Sequence, residues 1–169
     1  MAGKENLMRE VRIEKLILSC GGVKEELDKG MKLLQKISKK KPVKKMTYKR
    51  IPTFGIRPQL EVGGMVTLRG EEAIALLKRL LAAVENRLRK KQIQENFFSL
   101  GLEEYIEIPG EEYDRDIGMR GFNVTVVFSR KGRRVTIKRI KKGKLPKKQH
   151  ISKQEIINFM EEKFNTSIK

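Results

Sequence analysis

The pattern of apolar and polar positions changes period along the chain, which predicts a succession of strands and helices. The first apolar stretch, VRIEKLILSC at residues 11–20, is rich in β-branched and aliphatic residues and stops at Gly21 and Gly22. It predicts a strand that ends in a glycine turn. Apolar residues then recur at steps of three and four up to Pro42, which predicts a helix with one apolar face. That face consists of Val23, Leu27, Met31, Leu34 and Ile37.

Two strands joined by a long connection follow this helix. The segments VKKMTYKRI (residues 43–51) and EVGGMVTLRG (61–70) both favour extended structure. Gly63 and Gly64 in the second segment indicate a bulge or a close approach of another backbone. The connection, residues 50–63, is partly cationic and partly apolar, with a break at Phe54 and Gly55. A loop of this length in place of a tight turn is typical of a binding loop.

The second predicted helix begins at Gly70, because Glu71 and Glu72 would then lie in its first turn, where the helix dipole favours anions. Its apolar positions continue at helical spacing to residue 88, and basic residues collect at its end. The predicted buried stripe is Ile74, Leu77, Leu81, Val84 and Leu88, and the basic residues are Arg87, Arg89, Lys90 and Lys91.

Three strands and a helix are predicted for the remainder. LEEYIEI (residues 102–108) alternates, FNVTVVFS (122–129) has the composition of a central strand, and RRVTIKRI (133–140) pairs with it across a turn at Lys131 and Gly132. The sequence from Ser152 to Glu155 is a capping box that opens the last helix. That helix carries Ile156, Phe159, Met160 and Phe164.

The resulting order of elements, β-α-β-β-α-β-β-β-α, defines the expected fold class. It predicts an α+β fold, with an antiparallel β-sheet, helices packed on one face, and a long loop between the second and third strands. The length of 169 residues fits one domain over residues 1–169. Within it, KKGKLPKKQH (residues 141–150) is predicted to be a basic extended segment.

The charge of the chain points to a class of partner. Lysine and arginine number 39 against 21 acidic residues, so the formal net charge is +18. A positive field of this size attracts polyanions, most often nucleic acid. No apolar run approaches the roughly 20 residues that span a bilayer, the N-terminus lacks the apolar core of a secretory signal, and one cysteine, Cys20, fits a reducing compartment. We expect a cytoplasmic nucleic-acid binder with no membrane partner.

Two clusters concentrate the positive charge. KKKPVKKMTYKR (residues 39–50) holds seven cations and RKGRRVTIKRIKKGKLPKK (130–148) holds eleven, and neither contains an acid. Cations aligned on one face release counterions from phosphates and so bind nucleic acid with strong dependence on salt. Tyr48 and Phe54 lie beside these cations and could stack on unpaired RNA bases. From the second cluster we predict rRNA contacts by Arg130, Lys131, Arg133, Arg134, Lys138, Arg139, Lys147 and Lys148.

Residues suited to catalysis are scarce. His150 is the only histidine, and a lone cysteine is more typical of a small buried hydrophobe than of a metal ligand. The acids of EEYDRD (residues 111–116) could hold Mg²⁺ in a nuclease, but Arg115 interrupts them. The phosphate-binding pattern GxxxxGK[ST] is absent. We therefore predict no enzyme activity, no cofactor and no metal site, with a metal-dependent nuclease as the weaker alternative.

Several motifs, taken in order, resemble a known family. They are LMREVRIEKLILS (residues 7–19), FGIR (54–57), VTLRGEE (66–72), FSLGLEEYIEIPG (98–110), YDRDIGMRGFNVTVVF (113–128) and KLPKKQHISKQEII (144–157). In order and spacing they resemble the universal large-subunit ribosomal protein five family, called ribosomal protein eleven in eukaryotes. The MRE start and the PKKQHIS tail resemble its archaeal and eukaryotic branch.

This resemblance implies a structural role in the large ribosomal subunit. Members of the family bind 5S rRNA and neighbouring large-subunit rRNA, hold 5S rRNA in the central protuberance, and lie beside other ribosomal proteins there and in the small-subunit head. Residues matching the family's 5S rRNA surface are Met8, Arg9, Arg12, Lys41, Pro42, Lys44, Lys45 and Lys49. The loop at 50–63 would contact P-site tRNA, through Arg50, Thr53, Phe54, Gly55, Arg57 and Gln59.

Two departures from the family pattern affect single contacts. The family often has Thr-Gly-Gln where this chain has Ser38, Lys39 and Lys40, so we expect phosphate charge in place of a specific glutamine contact. Asn123 stands where an acid is usual. A free-standing basic RNA chaperone or regulator remains the alternative function, and it would bind many RNAs with similar affinity.

Overall fold

The computed structural model of the chain describes Asn6 and residues 8–168. Its strands are β1 (Val11–Gly21), β2 (Val43–Met46), β3 (Glu61–Leu68), β4 (Arg87–Leu88), β5 (Ile93–Gln94), β6 (Phe97–Leu102), β7 (Phe122–Arg130) and β8 (Ser167–Ile168). Its α-helices are α1 (Glu25–Ser38), α2 (Glu71–Ala83), α3 (Arg134–Ile137) and α4 (Lys153–Phe164). Single 3-10 turns lie at Pro52–Phe54, Lys90–Gln92, Tyr105–Glu107 and Lys147–Gln149.

A six-stranded sheet in the order β2-β3-β1-β7-β6-β5 forms the framework. Every pairing in it is antiparallel, while β4 and β8 form a separate short parallel pair. The central strand β1 pairs with β3 on one side and with β7 on the other. An antiparallel sheet combined with helices confirms the predicted α+β class.

The core lies between one face of the sheet and the helices. Side chains alternate along each strand, so Leu16 and Leu18 of β1 point to the same side as Val124 and Val126 of β7. All four are fully buried, and they belong to one cluster with Leu33, Leu34, Leu77, Leu80, Ile156 and Met160 of the helices. Burying a side chain of this kind contributes about 1.5–3 kcal/mol. The opposite face of the sheet stays partly exposed.

The predicted strand at residues 102–108 is wrong. The strand of this region is β6, which ends at Leu102, and Tyr105–Glu107 form a 3-10 turn. The buried residues Leu102, Tyr105 and Ile108 follow one another at steps of three, which is the period of a 3-10 turn. The Tyr105 hydroxyl also accepts a hydrogen bond from the Asp114 N–H at 2.7 Å, which fixes the turn to the following loop.

The predicted strand at residues 133–140 is also wrong. Both edges of β7 are already occupied, by β1 on one side and β6 on the other, so no edge remains for a hairpin partner. The chain turns at Gly132, where φ is 94°, and forms the short helix α3. Val135, Ile137 and Ile140, whose alternation favoured a strand, are exposed instead.

Two predicted elements are shorter than expected. Helix α2 ends at Ala83 because Glu85 and Asn86 adopt positive φ angles of 52° and 56°. Leu88, which was predicted to be the last buried residue of this helix, is buried as part of strand β4. Strand β2 ends at Met46, where a register shift against β3 interrupts the pairing. The last helix is confirmed: Ser152 and Glu155 form the reciprocal capping box of α4.

Candidate nucleic-acid interface

The connection between β2 and β3, residues 47–60, forms an ordered projection that we call the finger. At its base, Thr47 is hydrogen-bonded to the returning chain. The Thr47 N–H donates to the Leu60 carbonyl (3.0 Å), and the Gln59 N–H donates to the Thr47 carbonyl (2.7 Å). Farther out, Ile51 and Ile56 form an isolated antiparallel bridge. The finger is therefore an extension of the β2–β3 hairpin, closed at its end by the 3-10 turn Pro52–Phe54.

The tip of the finger is open on its surface. Gly55 closes the turn with φ of 63°, and a side chain there would meet no other atom within 4 Å. Phe54 is 72% exposed and Tyr48, at the base, is 87% exposed. Exposed rings of this size can stack on nucleobases. All residues of the predicted tRNA contact lie on the finger and are exposed: Arg50, Thr53, Phe54, Gly55, Arg57 and Gln59.

The lysines of the predicted 5S rRNA surface lie on and around the edge strand β2. Lys44 and Lys45 are in β2, Lys41 precedes it, and Lys49 is at the base of the finger. Lys41, Lys45 and Lys49 are exposed, and within the described chain no carboxylate lies within 4.0 Å of any of them. Lys44 is different, since it donates to Glu61 at 2.7 Å, and this hydrogen bond raises the pKa of its amine. Pro42 is buried, so it shapes the turn into β2 and presents no surface.

The N-terminal residues of the predicted 5S rRNA surface lie elsewhere. Arg12 lies near the start of β1, where it is opposite Ser129 of β7. Lys45 of β2 is opposite Gly63 of β3, and Gly63 is in turn opposite Gly21 at the other end of β1. At about 3.3 Å per residue, the two ends of β1 are roughly 30 Å apart. Exposed Met8, Arg9 and Arg12 therefore lie beside the second basic cluster, and the structure does not bring them together with the lysines of β2.

The second cluster divides into paired and exposed cations. Arg130 pairs with Glu155 and also donates to the Lys148 carbonyl at 3.2 Å, and its side chain is only 13% exposed. Arg133 pairs with Glu14, and Lys131 lies 3.6 Å from Glu10. These three pairs join residues 130–133 to α4, to the segment before β1 and to β1. The remaining predicted contacts are exposed and have no carboxylate within 4.0 Å among residues 8–168: Arg134, Lys138, Arg139, Lys147 and Lys148.

The uncovered face of the sheet extends between the cations at the two ends of β1. Its side chains follow the strand register and none of the following is acidic: Lys15, Ile17, Ser19, Met65, Thr67, Phe97, Ser99, Asn123, Thr125 and Val127. Lys15 was missed in the sequence because it interrupts an apolar strand, although its alternation with Ile17 and Ser19 places it on this face. Arg69 was missed as well; it lines a groove with Arg12 and Arg134 that only the tertiary structure forms.

Two acids of the EEYDRD motif, Glu111 and Asp114, lie on the opposite, helical side. Glu111 pairs with Arg79 of α2 at 2.9 Å, and Asp114 lies 3.7 Å from Lys36 of α1. Across the described residues, no group of three or more histidine, cysteine or acidic side chains is placed to hold a metal ion. Glu111 and Asp114 therefore do not lie on the uncovered face of the sheet.

His150 and Cys20 occupy different surroundings. His150 lies 3.2 Å from the Asn96 amide, while Cys20 packs between Gly30 and Gly64, and burial raises the pKa of its thiol. Among the described residues, neither side chain contacts a group that would activate it for catalysis. The described part of the chain also contains no helix that is both long and apolar enough to cross a membrane.

A sheet face that presents Lys15 and uncharged side chains, flanked by exposed cations and a hairpin finger, defines a protein that binds structured RNA. Residues 61–159 match the family model for the C-terminus of the ribosomal L5 proteins. The chain belongs to this family, and is thus a non-enzymatic, rRNA-binding constituent of the large ribosomal subunit that acts in translation.

Curated relatives cover almost the whole chain. The large ribosomal subunit protein uL5 of Archaeoglobus fulgidus is 39% identical over 95% of this chain and 91% of its own length. That of Nanoarchaeum equitans is 39% identical over 97% and 99%, and that of Sulfolobus acidocaldarius is 37% identical over 99% and 96%. These similarities confirm the expected family and its archaeal branch.

Proposed function

We propose that the chain binds 5S rRNA together with adjacent large-subunit rRNA and so helps to attach 5S rRNA in the central protuberance. The observation that carries this proposal is the placement of exposed cations at both ends of β1, joined by a sheet face that presents Lys15 and uncharged side chains. A surface roughly 30 Å long can contact several phosphates of a folded RNA at once, because the charges of a duplex follow one another every few ångströms.

We propose that the finger makes a second contact with RNA. Its exposed Arg50 and Arg57 and the bare turn at Gly55 suit the backbone of a separate RNA that lies beyond the edge of the sheet. We assign this contact to P-site tRNA. Because the finger leaves the sheet at β2, a partner at its tip does not compete with rRNA on the sheet face.

The exposed aliphatic residues of the second cluster support contacts with neighbouring ribosomal proteins. Ile137 is 69% exposed and Ile140 is 77% exposed. Phosphates gain nothing from such side chains, whereas a protein surface can bury them. We assign them to neighbours in the central protuberance or the small-subunit head. Cross-linking of assembled ribosomes through a photoreactive group at position 140 tests this, and a product with rRNA alone would contradict it.

The first experiment is binding to 5S rRNA at rising salt, with an unrelated structured RNA of equal length as competitor. The triple variant Lys41→Ala, Lys45→Ala, Lys49→Ala should bind more weakly, and its salt slope should fall by about 0.7–0.9 for each phosphate that is no longer neutralised. The matched control removes the same charge from the helical side: Lys29→Ala, Lys32→Ala, Lys78→Ala.

The outcomes separate a specific surface from a general one. Preference for 5S rRNA near physiological salt, with weakening only in the triple variant of Lys41, Lys45 and Lys49, supports the ribosomal contact. Equal weakening by both triple variants, or equal binding of both RNAs, contradicts it and favours a free-standing RNA chaperone that responds to charge alone.

A further inference from the structure

A small cavity lies where the basic segment folds against the end of the sheet. It has a volume of about 150 Å³. Val127, Phe128 and Leu145 supply apolar walls, and Ser129, Gln149 and His150 are among its polar lining residues. Drug-sized ligands occupy sites of about 300–1,000 Å³. A cavity of half the lower value fits one small ring system.

Two buried polar groups in the lining lack partners. Ser129 is 7% exposed, and its hydroxyl oxygen has no hydrogen-bond partner among the described residues. The same holds for Nε of Arg130, although the terminal nitrogens of that guanidinium contact Glu155 and the Lys148 carbonyl. An unpaired buried polar group is unfavourable, so a ligand that satisfies it is favoured.

The unpaired groups are mainly hydrogen-bond donors. Nε–H of Arg130 can only donate, and the Ser129 hydroxyl can donate. Asn96, which also lines the cavity, accepts at Oδ1 from the Ile151 N–H at 2.9 Å, so its amide nitrogen lies toward Nδ1 of His150 at 3.2 Å. That amide nitrogen carries two further donors.

We propose that this cavity binds one extruded RNA base with a keto oxygen at C4 of uracil or at C6 of guanine. The inference rests on the proposed rRNA-binding function and adds a site to it. Carbonyl oxygens accept from the available donors, and a flat ring fits between the apolar walls. Cytosine and adenine carry an amino group at the corresponding position, and this donor would face the donors of the lining.

A phosphate group fits the cavity less well than a base. The two arginines of the lining are already paired, Arg130 with Glu155 and Arg133 with Glu14, so little net positive charge remains there. Val127, Phe128 and Leu145 also offer a phosphate only apolar surface. Half-buried Gln149 and exposed His150 lie at the surface, so a base can enter while its phosphates stay outside with the exposed cations.

The test is photocross-linking of the full chain to 5S rRNA and large-subunit rRNA transcribed with 4-thiouridine or with 6-thioguanosine. Cross-linked peptides are mapped by mass spectrometry, and the affinity of each RNA is measured in parallel. Ser129→Val fills the cavity and removes its hydroxyl. Thr166→Val is the control, because it removes another buried hydroxyl without a partner among the described residues, outside the cavity and the sheet face. Leu145→Trp blocks the cavity from the segment beyond β7, in case the strand does not tolerate valine.

We expect one thio-substituted RNA to cross-link within residues 127–130 or 145–150. Ser129→Val or Leu145→Trp should reduce this cross-link at least about tenfold, equivalent to about 1.4 kcal/mol, while Thr166→Val leaves it unchanged. RNA that stays bound but gives no cross-link in the cavity overturns the base site alone. An absence of rRNA binding overturns the proposed function, and the base site with it.

Discussion

Gly30 of α1 lies directly against the thiol of Cys20 on β1. A Cβ atom at position 30 would lie 2.7 Å from Sγ of Cys20 and 3.3 Å from its Cβ. The glycine weakens the helix, at a cost of up to about 1 kcal/mol, but it lets α1 pack on the sheet at close range. This contact explains why a helix-weakening residue occupies the buried face of α1.

Gly30→Ala should therefore destabilise the protein, even though alanine is the better helix former. We expect a net decrease of about 1–3 kcal/mol in the free energy of unfolding, because the added methyl group overpacks the contact with β1. Urea unfolding measures it. The double variant Gly30→Ala, Cys20→Ala should recover part of this decrease relative to the sum of the single variants. Strict additivity would show that the two residues do not interact.

Cys20 should react slowly with alkylating agents in the native state. Burial raises the pKa of its thiol above the ordinary value of 9.0, so less thiolate is present at a given pH. The folded state then holds the proton more tightly than the unfolded state. The stability that this proton contributes is therefore fully present below about pH 9 and declines as the pH rises above it. Iodoacetamide labelling followed by mass spectrometry, with urea-unfolded protein as the control, checks the reactivity; equal rates in both states would contradict it.

The paired and exposed cations of the second cluster should have separable effects. Arg130→Ala leaves Glu155 without its partner and should lower stability with little change in the salt slope of rRNA binding. Arg139→Ala, at an exposed position, should leave stability within about 0.5 kcal/mol and reduce that slope by nearly one unit. Thermal unfolding and salt-dependent binding distinguish them. The reverse pattern would mean that Arg130 contacts RNA directly.

Removal of the Arg57 side chain should affect only the finger. Arg57→Ala should weaken P-site tRNA binding to reconstituted large subunits, because the guanidinium lies on the exposed finger. Affinity for 5S rRNA should stay within about twofold, or about 0.4 kcal/mol. Arg89→Ala, an exposed arginine after α2, is the control of equal charge. A tenfold decrease in 5S rRNA affinity would show that the finger contacts 5S rRNA.

Local sequence signals succeeded where the interaction that decides the structure is itself local. The capping box at Ser152 and Glu155 starts α4 as expected, since both partners lie within one turn. The apolar runs of β1 and β7 became the two central strands. The long loop between β2 and β3 was also expected, although its ordered hairpin bridge between Ile51 and Ile56 was not.

The errors arose where a non-local pairing outcompeted a local pattern. The alternating residues 133–140 favour a strand, but β7 has no free edge because β1 and β6 occupy both. The apolar spacing predicted a helix up to Leu88, but α2 ends at Ala83. Leu88 belongs instead to β4, which pairs with β8, a strand some 80 residues further along the chain. Short stretches of sequence do not contain this information.

The sequence by itself determined the class of this protein: an α+β fold, a large positive charge without catalytic groups, and motifs of one ribosomal family. Composition and short-range spacing carry those properties. Only the tertiary structure decided which cations are exposed and which are paired, because Arg130 and Arg133 meet their acidic partners through the packing of α4 and β1. It also separated Arg12 from Lys45 along β1, because antiparallel register assigns each to an opposite end of one strand.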